Sequence, residues 1–226
     1  MVATSTRSKT LGIVRTLKRK FPKTSVPTNG SLTDHLAAVV VSRGTGSAES
    51  YNATGRLMEA FVDWNEVRVA RWGEVERLLR PHIGIGESAE ASRRLLYCLQ
   101  QIFMKRGDVD LSGLARTSPA EARKFLLGLD CVDRDEASLV LLLGLGDPVM
   151  PVDGDVLRAS KRMGVVSNTA TKLQAQRALE NVLEGEDLHA CYLALREHAR
   201  RICLTDSPAC RTCPVGNECR HRIKPH

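Results

Sequence analysis

The sequence predicts an all-α protein of two lobes. Apolar residues recur at helical spacing in nearly every segment, four cysteines close the chain, and a helix–hairpin–helix pattern precedes them. Alternating β patterns are missing apart from Val39–Val41, which suits a helix equally well. At 226 residues with 42% hydrophobic content, the chain can bury one large core or two modest ones. No run of about 18 apolar residues appears, so no segment reads as a membrane span.

The first helix covers about Thr10–Phe21, where Leu11, Ile13, Val14 and Leu17 form a docking stripe and Lys18 and Lys20 face solvent. Pro22–Thr33 is rich in Pro, Ser and Thr and reads as a linker. Helices follow at about Leu32–Ser42, Ala48–Val62, Val75–Arg80, Ala89–Lys105, Pro119–Leu127 and Arg134–Leu143. Three more are expected at Val156–Met163, Thr169–Leu183 and Leu188–Cys203.

The formal charge of +7 has a location. Arg7, Lys9, Arg15, Lys18, Arg19, Lys20 and Lys23 precede the first carboxylate, Asp34, while acidic and basic residues balance over the rest. A basic arm on a neutral body points to a polyanion, nucleic acid above all. The plainer alternative is a solvated helix face.

Cys203, Cys210, Cys213 and Cys219 are spaced C-x6-C-x2-C-x5-C. Four thiolates in one run are a ligand set for an iron–sulfur cluster or a zinc ion. Zinc sites more often split their ligands into two close pairs. With one close pair and one wide loop (Leu204 to Ala209), the spacing favours a [4Fe–4S] cluster. Met1 to Phe21 lacks the apolar region of a secretory signal, so a cytoplasmic location and reduced thiols are expected. Cys98, Cys131 and Cys191 read as small buried apolar side chains. His198 reads as an exposed helix position, and Trp64 and Trp72 as core residues.

Leu129–Leu141 (LDCVDRDEASLVL) places a short turn before a strongly apolar helix, the shape of a helix–hairpin–helix. Such a hairpin can offer backbone N–H groups to a DNA phosphate. Twelve residues later, in PVDGDVLR, Asp153 stands at a helix start, where its ordinary role is an N-cap.

Hairpin, Val-Asp segment and cysteine tail together resemble endonuclease III and its relatives, whose hairpin reads LPGVGRKTANVVL and whose later segment reads VDTHxxR. Without a gap, the pattern covers Leu129 to Leu141 and then Val152, Asp153 and Arg158. The stretch Phe61 to Leu79 and the run Gly107 to Leu114 resemble the DEMETER class of 5-methylcytosine glycosylases. The resemblance implies a two-lobed helix–hairpin–helix glycosylase fold. Residues 34–148 would form a six-helix domain with the hairpin at about 121–145. Residues 1–33 and 149–226 would form a cluster domain, its loop at 203–219.

The resemblance also implies a monomeric base-excision enzyme that flips a nucleotide out of double-stranded DNA, nucleoid-associated in a bacterium. Asp153 takes the catalytic role, stabilising the oxocarbenium-like sugar and orienting a nucleophile. Asp135 stands where bifunctional members carry a lysine; a carboxylate forms no imine, so lyase activity is expected to be absent or weak. Cys131 and Asp133 replace the two hairpin glycines, leaving Arg134 as the hairpin's cation among several acids. The residue that fills the duplex gap falls at Arg43 or Gly44, and Asp155 replaces the family's His or Asn. If Asp135, Asp153 and Asp155 converge, their charge favours a cationic base. Two other classes remain: a catalytically silent relative that binds DNA or a repair partner, and a redox-sensing cluster protein.

Overall fold

A computed structural model describes residues 4–22, 30–43, 47–185 and 187–223. Most of the expected linker, and Gly44 with it, lies outside the described residues. Those described form helices and connecting turns, with no strand among them. In chain order the α-helices are α1 (Thr4–Lys20), α2 (Leu32–Val41), α3 (Ala48–Ala60), α4 (Trp64–Val69), α5 (Trp72–Ile83) and α6 (Ile85–Arg106). They continue as α7 (Pro119–Leu127), α8 (Arg134–Leu145), α9 (Gly154–Met163), α10 (Lys172–Val182), α11 (Leu188–Arg201) and the short α12 (Arg220–Ile223). A 3-10 turn spans Ser112–Arg116. The chain divides into two compact units, one of Met1–Thr24 with Pro148–His226 and one of Ser25–Asp147.

The second unit is built around α2, which packs against α3, α6 and α8. Its sequence, LTDHLAAVVV, is buried except for Asp34. Ser31 and Asp34 cap its start reciprocally, and Asp34 also accepts a 2.7 Å hydrogen bond from the Trp64 indole. Gly144 lets α8 approach closely, because a Cβ there would lie 2.5 Å from Leu32 Cδ1. This unit contains one α-helix more than the six expected, namely α4. Asp63 starts it by accepting from the Glu66 N–H at 2.8 Å. Six residues are too few for a helical period to show in sequence, so α4 was not foreseen.

In the first unit α1 packs on α11, and α9 packs on α11, α10 and α12. Ile13, Val14 and Leu17 are fully buried. Burying each of them is worth about 1.5–3 kcal/mol, so α1 belongs to the core of this unit and is not a separable basic arm. Lys20 is exposed, whereas Lys18 is half-buried and lines a cavity with Asp187 and His189. No described helix is long and apolar enough to cross a membrane.

Candidate active site and cysteine cluster

Asp153 is the N-cap of α9. Its backbone is extended, and its Oδ1 accepts from the Val156 N–H at 2.7 Å. The side chain is half-buried, and its second oxygen has no hydrogen-bond partner among the described residues. The cap therefore fixes the rotamer while leaving one carboxylate oxygen available for chemistry. Asp155, in the first turn of α9, is paired with Arg158. That pair cancels the charge expected of Asp155, which weakens the case for a cationic substrate.

Arg158 reaches past Asp155 to the cysteine tail. Its Nη2 donates to Ala199 O and Cys203 O, each at 3.0 Å, and its Nε donates to Cys203 O at 3.2 Å. One turn further, Arg162 donates to Leu204 O at 2.5 Å and Thr205 O at 2.7 Å. A single helix thus carries Asp153 at its start and holds the wide cysteine loop by two guanidinium groups. Nothing in local sequence distinguishes these arginines from solvated ones.

All four tail cysteines line one open cavity of about 300 Å³, together with Arg162, His198 and Arg222. All are free thiols. Among the described residues no three His, Cys, Asp or Glu side chains converge closely enough to hold a single metal ion. Burial pushes the Cys203 thiol up, against the pull of Arg162, and it raises Cys213 as well. Cys219 Sγ donates to Arg162 O at 3.4 Å. His198 is the correction here: it is 1% exposed, not a solvent-facing position. Its Nε2 lies 3.4 Å from Cys213 Sγ. Burial depresses its pKa to about 4, so the ring is neutral near pH 7 and carries one N–H. Helical periodicity places His198 on the buried side with Leu195 and Ala199, but an apolar stripe gives no hint of a sulfur beyond it.

The hairpin runs from α7 into α8. Asp133 caps α8, with Oδ1 accepting from the N–H groups of Asp135 at 2.8 Å and Glu136 at 2.9 Å. Those are the amides a phosphate would seek at this helix start, and the chain's own carboxylate occupies them. Glu136 accepts from the Asp133 N–H at 2.9 Å and is 2% exposed. Arg94, from α6, completes the knot. It donates to both Glu136 oxygens, at 2.7 and 2.6 Å, to Cys131 O at 2.6 Å and to Val40 O at 3.0 Å. Burial pushes the Glu136 carboxyl up even though Arg94 pulls it down. Sequence reading missed Arg94, whose partners lie 37 to 54 residues away.

Cys131 and Cys98 are buried side by side as free cysteines, their thiols hydrogen-bonded to one another. Arg134 and Asp135 lie on the exposed first turn of α8, with Asp135 only partly exposed. Asp135 and Asp153 fall in different units. Arg43 adopts the left-handed conformation, φ 49°, just past α2, and its exposed guanidinium pairs with Glu90. An arginine so paired must leave Glu90 before it can enter a duplex. Trp64 is buried as expected. Trp72 is 49% exposed, with the Arg93 guanidinium 4.6 Å from the ring centroid, so it is not a core residue.

No family model matches the chain. It is 26% identical over 207 residues to endonuclease III of Thermotoga maritima, spanning 92% of this chain and 90% of that protein. It is 25% identical over 177 residues to the DNA glycosylase/AP lyase ROS1 of Arabidopsis thaliana, 71% of this chain but 12% of that protein. The chain thus spans only about a tenth of the plant relatives it matches. Among solved structures, a non-covalent endonuclease III–DNA complex superposes with a TM-score of 0.73 at 22% identity, over 96% of each chain. A thermostable thymine-DNA glycosylase also gives 0.73, at 17% identity over 97% of this chain and 99% of that one. In its all-helical fold and in its sequence, this chain resembles the endonuclease III-like helix–hairpin–helix DNA glycosylases, and its upstream half resembles the DEMETER class.

Proposed function

We propose that the chain is a monofunctional DNA glycosylase of base-excision repair, acting on double-stranded DNA. The observation that carries this reading is Asp153: a carboxylate locked by its cap at the start of α9, with one oxygen unbonded among the described residues. As the N-glycosidic bond breaks, positive charge develops on the sugar, and Asp153 stabilises it electrostatically. The same carboxylate orients a water whose oxygen bonds to the sugar carbon; the water's proton leaves and the base departs protonated. The product is an abasic site in an intact strand. The test is an excision screen on duplexes carrying oxidised, deaminated, alkylated and methylated bases, with and without alkaline cleavage of the product. No alkali-labile product from any duplex would refute the reading in favour of a silent DNA-binding relative.

The monofunctional reading rests on Asp135. Lyase chemistry needs an amine that attacks the sugar carbon and holds it as a Schiff base. Asp135 offers none, so borohydride is expected to trap no protein–DNA adduct. A robust adduct with the unaltered protein, identified by mass spectrometry, would show that another lysine performs that step.

Cys203, Cys210, Cys213 and Cys219 would hold a [4Fe–4S] cluster. The fit rests on four free thiols that line one cavity. When bound, the cluster would cross-link the tail and supply folding free energy. Anaerobically prepared protein is expected to contain about four irons per chain, and Cys210→Ser to lose iron and visible absorbance together. Zinc without iron in such a preparation would exclude the assignment.

A further inference from the structure

Beside the cysteine cavity lies a second concavity, of about 430 Å³, lined by Lys161, Arg162, Asn168, Arg220 and His221. Three permanent cations share it and no carboxylate does. Arg162 is held in place by the carbonyls of Leu204 and Thr205, and its Nη1 also lies 3.8 Å from Cys203 Sγ. Lys161 and Arg220 make no hydrogen bond or ion pair among the described residues. Lys161 and Arg162 have a simpler role available, since cations in the last turn of α9 offset its dipole. That role does not account for Arg220 and His221, which arrive from α12. Gly164 brings them in: at φ +76° it closes α9, and a Cβ there would lie 3.1 Å from Arg220 Cβ. Like charges driven into one concavity repel one another unless an anion joins them. Outside residues 1–33 the chain is charge-balanced, so this concentration of cations is local.

We propose that this concavity is a phosphodiester subsite, in which Lys161, Arg162 and Arg220 grip the backbone of a nucleic acid and Asn168 donates to the same phosphate. The inference rests on the nucleic-acid reading above but not on the chemistry assigned to Asp153. A fixed Arg162 flanked by two adaptable cations suits a backbone contact, which positions a duplex without reading its sequence.

The test measures binding of the full-length, iron-loaded protein to an undamaged fluorescent duplex across a salt series. Lys161→Ala/Arg220→Ala is compared with a control of equal charge loss, Arg77→Ala/Arg80→Ala, on the exposed face of α5. The subsite pair is expected to weaken binding about tenfold or more at low salt and to reduce the log–log salt slope by about 2, near 0.9 per lost phosphate contact. The control is expected to leave the slope within about half a unit of the unaltered protein's. Arg220 adjoins Cys219, so iron content is measured in parallel. Lys161→Glu, remote from the cysteines in sequence, repeats the test and is expected to weaken binding further than Lys161→Ala. Inorganic phosphate, titrated separately, distinguishes a backbone site from a free-anion site. An unchanged slope in both Lys161 variants, an equal loss in the control, or phosphate binding that never competes with duplex would each overturn the proposal. Failure of the excision screen with the salt-slope change intact would remove the glycosylase reading and leave the subsite standing.

Discussion

Asp153→Asn is expected to lower excision by about 10²- to 10⁴-fold while leaving fold and duplex binding in place. Asn caps a helix about as well as Asp, so the acceptor for the Val156 N–H at 2.7 Å survives the change. On the proposed role, what is lost is the negative charge that would face the developing oxocarbenium and the lone pair that would orient water. Binding of undamaged duplex is expected to hold or tighten slightly, because a carboxylate near phosphate is removed. Single-turnover excision with saturating enzyme separates the chemical step from binding. Activity in Asp153→Asn within tenfold of the unaltered protein would return Asp153 to a capping role and place catalysis elsewhere.

Arg94→Ala is expected to destabilise the Ser25–Asp147 unit by about 3–5 kcal/mol, the usual cost of stranding one partner of a buried ion pair. Glu136, with its side chain 3% exposed, would keep a charge that nothing neutralises. The carbonyls of Cys131 and Val40 would lose a donor at the same time. For a chain of this size such a loss lowers the melting temperature by about 10 °C. The pH dependence has a definite sign. Burial already holds the Glu136 carboxyl above its ordinary pKa, and removing Arg94 raises it further. A carboxyl raised in the folded state binds its proton better there than in the unfolded chain, so stability returns as pH falls through the folded value. The deficit of the variant is therefore expected to shrink on acidification. Arg94→Ala combined with Glu136→Leu is expected to recover most of the loss, because an apolar replacement leaves no buried charge. A single variant within about 1 kcal/mol of the unaltered protein would show that the Arg94 contacts carry no net stability.

The local features of this protein were legible in its sequence because their causes are local. Helical spacing of apolar residues places ten expected helices close to where they stand, and Asp153 starts α9 as a cap. The four-cysteine spacing marks one compact loop, and the resemblance to endonuclease III follows from residues still recognisable after Asp135, Cys131 and Asp133 had departed from its pattern. The sites themselves took their character from packing. Glu136 and Arg94 are 42 residues apart, and only the approach of α6 to the hairpin makes them a buried pair. His198 reads as an ordinary helix position until α11 turns it against Cys213. The charge of Asp155 looks available for a substrate until Arg158, bridging to Cys203, cancels it. Lys161 and Arg220 are distant in sequence, and the positive φ of Gly164 is what lets them share one concavity. Burial, pairing and local potential depend on which distant residues meet. A one-dimensional pattern records the periodicity that buries a face, but not the partner waiting beneath it.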